Sequence, residues 1–410
     1  MNALNRSLIL LALAAACACG ATVRVADAQA LRRALRAPSP GTLIAIEPGE
    51  YPEGGHAGGL AGTAEKPIVI AGADPEHPPV IRGKYVCMQL SRAAHVVLRD
   101  LVFQGASGNG LNIDDGGTLD KPSHHIVLER VTVRDIGPRG NADGIKLSGV
   151  DDLLIRRCTI ERWGSGGSGI DMVGCHRALV TECTFRHGDR KGANAVQTKG
   201  ASSGVVVYRC RFRAAGQRAV NMGGSTARSV FRPPGATYEA RQIAVIGNTF
   251  VGSLAPVAFV GCDGGLASFN TIVHPRMWVL RILQESAGPH FTPCRNGIFR
   301  RNVVVWRAEL KSTVNIGPHT APATFRFEDN WWYCGEAPAR SRPKLPAAER
   351  GAIVGRNPDV RIDGPRVTAA NARTHGAHAP EAAAEFARIG PSLAPWACQQ
   401  ARRLSQQPGK

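Results

Sequence analysis

The sequence is short of acidic residues, of long apolar runs and of paired metal-type cysteines. Asp and Glu total 32 against 50 Lys and Arg, a formal charge of +18. Such a chain is drawn to an anionic partner: nucleic acid, acidic lipid or acidic polysaccharide. Beyond the N-terminus no apolar stretch reaches about 18 residues, which excludes a multi-span helical membrane protein. The 11 cysteines include no Cys-x-x-Cys with a neighbouring histidine, so no structural zinc site is expected. The 47 glycines and 27 prolines, about 18% of 410 residues, fall short of collagen or low-complexity disorder. With 43% apolar residues a core is available. The length fits two or three domains or one elongated repeat.

At the N-terminus Arg6 precedes Leu8-Ile9-Leu10-Leu11-Ala12-Leu13 and a run of small residues. This pattern reads as a secretory signal over residues 1–21 and an exported, periplasmic or secreted protein. Cys17 and Cys19 are the candidate acceptors for a lipid anchor, although Ala14 or Ala16 stands where a lipobox carries Leu. Export removes nucleic acid as a partner and leaves acidic glycans. The mature chain is expected to be a monomer without a transmembrane segment.

One motif recurs along the chain: an alternating apolar stretch, then Cys, Asn or Val, one residue, and a large apolar side chain. Its anchor positions are Leu101, Val131, Cys158, Cys183, Cys210, Asn248, Asn270, Asn302 and Asn330, at steps of 22–38 residues. A second series lies half a period away, beginning Gly110-Leu111-Asn112-Ile113 and Gly144-Ile145-Lys146-Leu147. It continues through Gly169-Ile170-Asp171-Met172 to Val314-Asn315-Ile316. Period-two alternation in both series predicts short strands. Several strands per coil, stacked about 4.8 Å apart, predict an all-β fold, a right-handed parallel β-helix. Its expected bounds are residues 42–333, after an N-terminal capping segment at 22–41 whose helix begins at Asp27. Residues 334–410 are expected to be a C-terminal cap or tail with one helix over Glu381–Arg388. Cys158, Cys183 and Cys210 should form an internal ladder, whereas Cys294, Cys334 and Cys398 are candidates for an export-type disulfide.

If the large apolar residues of the second series point inward, the outward column reads Asn112, Lys146, Asp171, Gln197, Asn221, Ala258, Arg281 and Asn315. Lys199 stands one place along; Asp143, Asn194, Arg218 and Glu285 flank the column at the turns. Asn, Gln and Asp are poor strand formers, so the column reads as a ligand groove rather than an ordinary solvated face. The longest step inserts residues 228–241, where Arg232, Tyr238 and Arg241 are placed to hold an acidic sugar beside it.

Ile46-Glu47-Pro48-Gly49-Glu50-Tyr51 and Gly62-Thr63-Ala64-Glu65-Lys66-Pro67-Ile68-Val69-Ile70 resemble the first coils of pectate-lyase-like β-helix proteins. That superfamily includes exported polyuronate lyases of the alginate/chondroitin lyase type and the calcium-dependent pectate lyase type. In the former a strand lysine is the base and an Arg-His-Gly one coil later supplies the acid. Thr198-Lys199-Gly200 resembles the lysine strand. The coil after it has no Arg-His-Gly, and the one such tripeptide, Arg186-His187-Gly188, precedes Lys199. Asn141-Ala142-Asp143-Gly144-Ile145-Lys146 is similar to the calcium-site strand of the pectate lyase type.

β-Elimination on a polyuronate needs a group that neutralises the uronate carboxylate, a base for the C5 proton and an acid for the leaving O4. Lys199 is the candidate base, with the like charges of Lys146 and Arg218 placed to favour its neutral amine. Arg218 or His187 is the candidate acid. Asn194, Gln197 and Asn221, with Ca²⁺ held by Asp143 and Asp171, would grip the carboxylate. The alternatives are a glycoside hydrolase on an acidic glycan, disfavoured because paired aspartates on the column are limited to Asp114-Asp115, and a non-catalytic glycan-binding or adhesin surface.

Overall fold

The structure is a computed structural model that describes residues 20–188, 193–364 and 366–406. The expected lipid acceptors, and all but the last two residues of the expected signal, lie outside this range. Each coil carries three short strands, exemplified by Ser123–Glu129, Thr132–Arg134 and Ile145–Ser148. Each strand pairs in parallel with its equivalents in the coils above and below, giving sheets of fourteen, twelve and ten strands. We call these the first, second and third sheets. Period-two alternation sends Ile126, Leu128, Val133, Ile145 and Leu147 inward, all 0% exposed.

The first and second sheets meet at a single left-handed residue per coil. Asp100, Arg130, Arg157, Glu182 and Arg209 all hold φ between 52° and 57°. This region is costly for side-chain-bearing residues. The corner is held by coil-to-coil hydrogen bonds such as Arg130 N to Arg156 O, 3.1 Å, and by ion pairs along the outside, Arg130–Asp100 at 2.6 Å and Arg157–Glu182 at 2.7 Å.

Inside that corner runs the expected ladder. Cys158 Sγ donates to Leu128 O at 3.5 Å. Further along, Asn248 donates to Asn270 (3.1 Å), Asn270 to Asn302 (3.0 Å) and Asn302 to Asn330 (2.9 Å). Asn330 ends the chain of amides on Glu349 at 2.7 Å. Each buried amide is thus satisfied by its neighbour. Phe185, Phe212 and Phe250 stack beside it at 4.7 Å between centroids.

Three expectations are corrected. All nine described cysteines are free and buried. Cys294 and Cys334 belong to the main core, and Cys398 to a separate cluster outside the first sheet, so these three form no disulfide. The C-terminal region also differs. The capping helix α1 spans Ala28–Ala34, with Asp27 accepting from Ala30 N at 2.7 Å. The chain then ends in two helices, α2 (Pro380–Leu393) and α3 (Pro395–Gln406). They do not cover the end of the solenoid; they lie along the outer face of the first sheet. There Val127, Leu154, Leu179, Val206 and Ile246 meet Phe386, Leu393, Ala397 and Leu404. Tyr208 stacks on Phe386 at 3.8 Å. The sheets also run further than expected, from Thr22–Val25 at one end to Ile353–Val354 at the other.

Candidate functional site

The third sheet places the outward column in register. Asn112 pairs with Lys146, Lys146 with Asp171, Asp171 with Gln197 and Gln197 with Asn221. Asn221 pairs with Ala258, Ala258 with Arg281 and Arg281 with Asn315. The alternate residues Leu111, Ile145, Ile170, Val196 and Val220 are fully buried inside, and this burial fixes which side chains face out.

At the centre two lysines share one carboxylate. Lys146 Nζ is hydrogen-bonded to Asp171 and lies 3.5 Å from Asp143; Lys199 Nζ lies 3.3 Å from the same Asp171 oxygen. The two aspartate side chains are 1–2% exposed, the lysines 24% and 17%. Asp143 accepts from Ser168 N at 2.7 Å. Burial, reinforced by Asp171 and opposed by Lys146, pushes the Asp143 carboxyl up to about 6. Burial disfavours the Lys146 ammonium, but Asp171 and Asp143 outweigh it and hold Lys146 above the ordinary lysine value.

An amide group adjoins these charges. Asn194 Nδ2 and Ser168 Oγ both donate to Gln197 Oε1, the latter at 3.3 Å. A side chain at Gly224 would fall 2.6 Å from Gln197 Nε2 and 3.4 Å from Lys199 Cβ, so glycine lets the backbone close over both. Arg218 donates to Glu285 at 2.6 Å and more weakly to Asn221 at 3.4 Å, and its buried Nε has no hydrogen-bond partner. Asn221 is fully buried and also donates to Gly223 O, so it positions Arg218 from below. Four coils from Asp171, Arg281 donates to Asn315 at 2.8 Å and lies over the Trp278 ring at 4.5 Å. Burial and the charge of Arg218 hold Arg281 below the ordinary arginine value. At the other end Asn112 is half-buried, with Oδ1 lacking a hydrogen-bond partner.

The long insertion folds down beside Lys199. Buried Glu239 accepts from Gly200 N at 2.8 Å and Thr226 N at 2.9 Å, fastening the loop to the turn after Lys199. Arg232 does not point into the groove: it makes a two-pronged ion pair with Asp151, 2.6 and 2.5 Å, and donates to Gly174 O at 2.7 Å. Its role here is to seat the loop. Tyr238 is half-buried beneath the Arg241 guanidinium at 4.8 Å.

Lys146, Asp171, Asp143, Lys199, Asn194, Gln197, Arg218 and Asn221 are therefore brought together on neighbouring coils. His187 is placed elsewhere: it is 2% exposed, stacked on Trp163 at 4.2 Å, where the chain leaves Thr184–Arg186 of the second sheet. Asp143 and Asp171 do not fit the expected calcium. That ion takes six to eight oxygen ligands, whereas here both carboxylates converge on the Lys146 ammonium, which fills the place between them. Ser168, Trp278, Glu239 and Asp151 are site or wall residues that sequence reasoning missed. Trp278 alone carried a signal, standing three residues before Arg281 on one strand.

Comparison with known proteins agrees with this architecture. A family model described as "Right handed beta helix region" matches residues 86–250. No curated protein sequence matches the chain. Among solved structures, the pectate lyase Pel9A is similar with a TM-score of 0.51 and 14% identity, over 81% of this chain and 82% of that one. A rhamnogalacturonan lyase gives 0.51 and 12%, over 76% and 87%. An alginate lyase from Paenibacillus sp. str. FPU-7 gives 0.46 and 18%, over 81% and 95%. The chain is thus a right-handed parallel β-helix, the fold of the pectate and rhamnogalacturonan lyases.

Proposed function

We propose that this protein is an exported polysaccharide lyase that cleaves a uronate-containing polysaccharide by β-elimination. The observation that carries the reading is the pair Lys199 and Asp171, set between Lys146 and the Asn194–Gln197–Arg218 group on one face of the third sheet. In this reading Arg218, Gln197 and Asn194 receive the uronate carboxylate, which acidifies the C5 proton. Lys199 takes that proton, the C–H electrons form the C4–C5 double bond, and the C4–O4 bond breaks. Arg218 also donates a hydrogen bond to the leaving O4, which takes its proton from water. Asp171, 3.3 Å from Lys199 Nζ, stabilises the ammonium that forms, a gain made as the transition state develops. Lys146 pairs with Asp171 and Asp143 and occupies the place between them where a cation would otherwise sit. Asn112, Arg281, Asn315 and Tyr238 line more distant positions for further sugar units. A hydrolase is less well served, because Asp143 and Asp171 are buried beneath Lys146 rather than presented to solvent.

The reading is tested by incubating the protein with alginate, pectate and chondroitin sulfate while following ultraviolet absorbance of unsaturated ends and reducing sugar separately. A rise in both is expected. Reducing ends alone would indicate a hydrolase, and neither a binding protein.

A further inference from the structure

Outside this groove, three histidines converge on the first sheet. His95 lies in the strand Ala94–Arg99, and His124 and His125 in Ser123–Glu129 of the next coil. Register sets His124 opposite Ala94, so the three rings meet across one coil boundary. His95 and His125 occupy equivalent left-handed positions, φ 52° and 58°; one and two coils on, Asp152 and Arg177 hold the same conformation. That conformation swings both imidazoles to the same side. Their rings stack at 4.4 Å, and His124 lies edge-on to them at 5.5 and 5.0 Å. His124 Nδ1 lies 2.8 Å from His125 Nδ1. Trp396 in the first turn of α3 closes over His125 at 4.8 Å.

We infer that His95, His124 and His125 form a binding site for a divalent late first-row transition ion, with zinc as the probe. One ring nitrogen from each residue lies within 4.8 Å of the other two, and all three side chains are half-buried. Tetrahedral zinc with bonds of about 2.0–2.1 Å holds its nitrogens about 3.3 Å apart, so modest ring rotation closes the site. Imidazole is the ligand such ions favour, and only the neutral ring binds. Burial, aided by the neighbouring imidazoles, holds His95 and His125 below the ordinary histidine value. Asp152 opposes the shift at His125, but its carboxylate is engaged by Arg177 at 2.9 Å. Three protein nitrogens leave the fourth position for water. An ion here ties two successive coils together beneath α3. It lies on a different sheet from the lysine cluster, so its consequence is for stability and for the seating of the C-terminal helices.

The experiment uses the untagged full chain, freed of metal by dialysis against a chelator. It is titrated with zinc chloride by calorimetry and with cobalt chloride by visible spectroscopy, and Tm is measured with and without zinc. One equivalent, the strong visible bands of tetrahedral cobalt and a higher Tm are expected. His125→Ala and the milder His95→Gln should each abolish the one-equivalent binding while leaving the far-ultraviolet circular dichroism of the metal-free chain unchanged. Absence of saturable binding, or unaltered binding in His95→Gln, would overturn the inference.

Discussion

Lys146 and Lys199 converge on a single oxygen of Asp171, the second at 3.3 Å, from the coils on either side of Asp171 in the third sheet. The Lys146 ammonium and the Lys199 amino group flank one buried carboxylate, in a bridge that spans three coils. Lys146 is also shared with Asp143, so its removal leaves two buried carboxylates without their closest cation, and such losses are larger than the net contribution of the pair.

Lys146→Ala should therefore leave Asp143 and Asp171 facing each other without their cation. We expect a destabilisation of about 3 kcal/mol, read from the urea midpoint, together with loss of turnover. In the unaltered protein the ammonium already neutralises these carboxylates, so addition of the calcium chelator EGTA should leave turnover unchanged. A wild-type activity abolished by EGTA and restored by calcium would contradict this arrangement.

His176 provides a pH-dependent term. Burial, opposed by Asp151 and reinforced by Arg232 and Arg177, lowers this imidazole from 6.5 to about 4. Its Nδ1 lies 2.8 Å from Ser203 Oγ. Because the folded state disfavours the charged ring, its contribution is fully present above 6.5 and is lost as the pH falls toward 4. The loss should reach on the order of 2–3 kcal/mol. Comparing unfolding midpoints of the wild type and His176→Gln at several pH values isolates the term: the variant should show a shallower decline.

The asparagine ladder makes a sharper demand. Asn302→Leu removes the amide between Asn270 and Asn330 and leaves buried hydrogen-bonding groups on both sides without partners. A cost of about 2–4 kcal/mol is expected. The adjacent conservative change Asn270→Asp should also destabilise, because it loses the donor to Val245 O and to Asn302.

Phe386→Ala tests the attachment of the C-terminal helices, since it removes the ring stacked on Tyr208. We expect a loss of about 2 kcal/mol and faster proteolysis within residues 380–406. A chain ended before Pro380 should bare Val127, Leu154, Leu179 and Val206 and aggregate.

The sequence placed one helix over Glu381–Arg388, within α2, but not α3 or the seat of both helices on the first sheet. The third sheet alternates polar and apolar residues, so its outward column could be named in register from the sequence. The first sheet does not alternate: Leu153-Leu154-Ile155 and Val205-Val206-Val207 are apolar on both faces, the mark of a sheet buried on both sides. That signal was present and implied a cover. The position of Arg232 was not legible, because its partner Asp151 stands 81 residues away and only the folded loop brings them together. The same holds for Lys146. Spacing placed it beside two aspartates, but the side-chain geometry shows its ammonium in the place read from sequence as a cation site.

The central claim, that Lys199 takes a proton from a uronate ring, is tested most directly by Lys199→Ala in the unsaturated-end assay on the preferred polymer. The account expects the ultraviolet signal to fall at least about a hundredfold, with circular dichroism and polymer binding retained. Turnover near the wild-type level in that variant would contradict it.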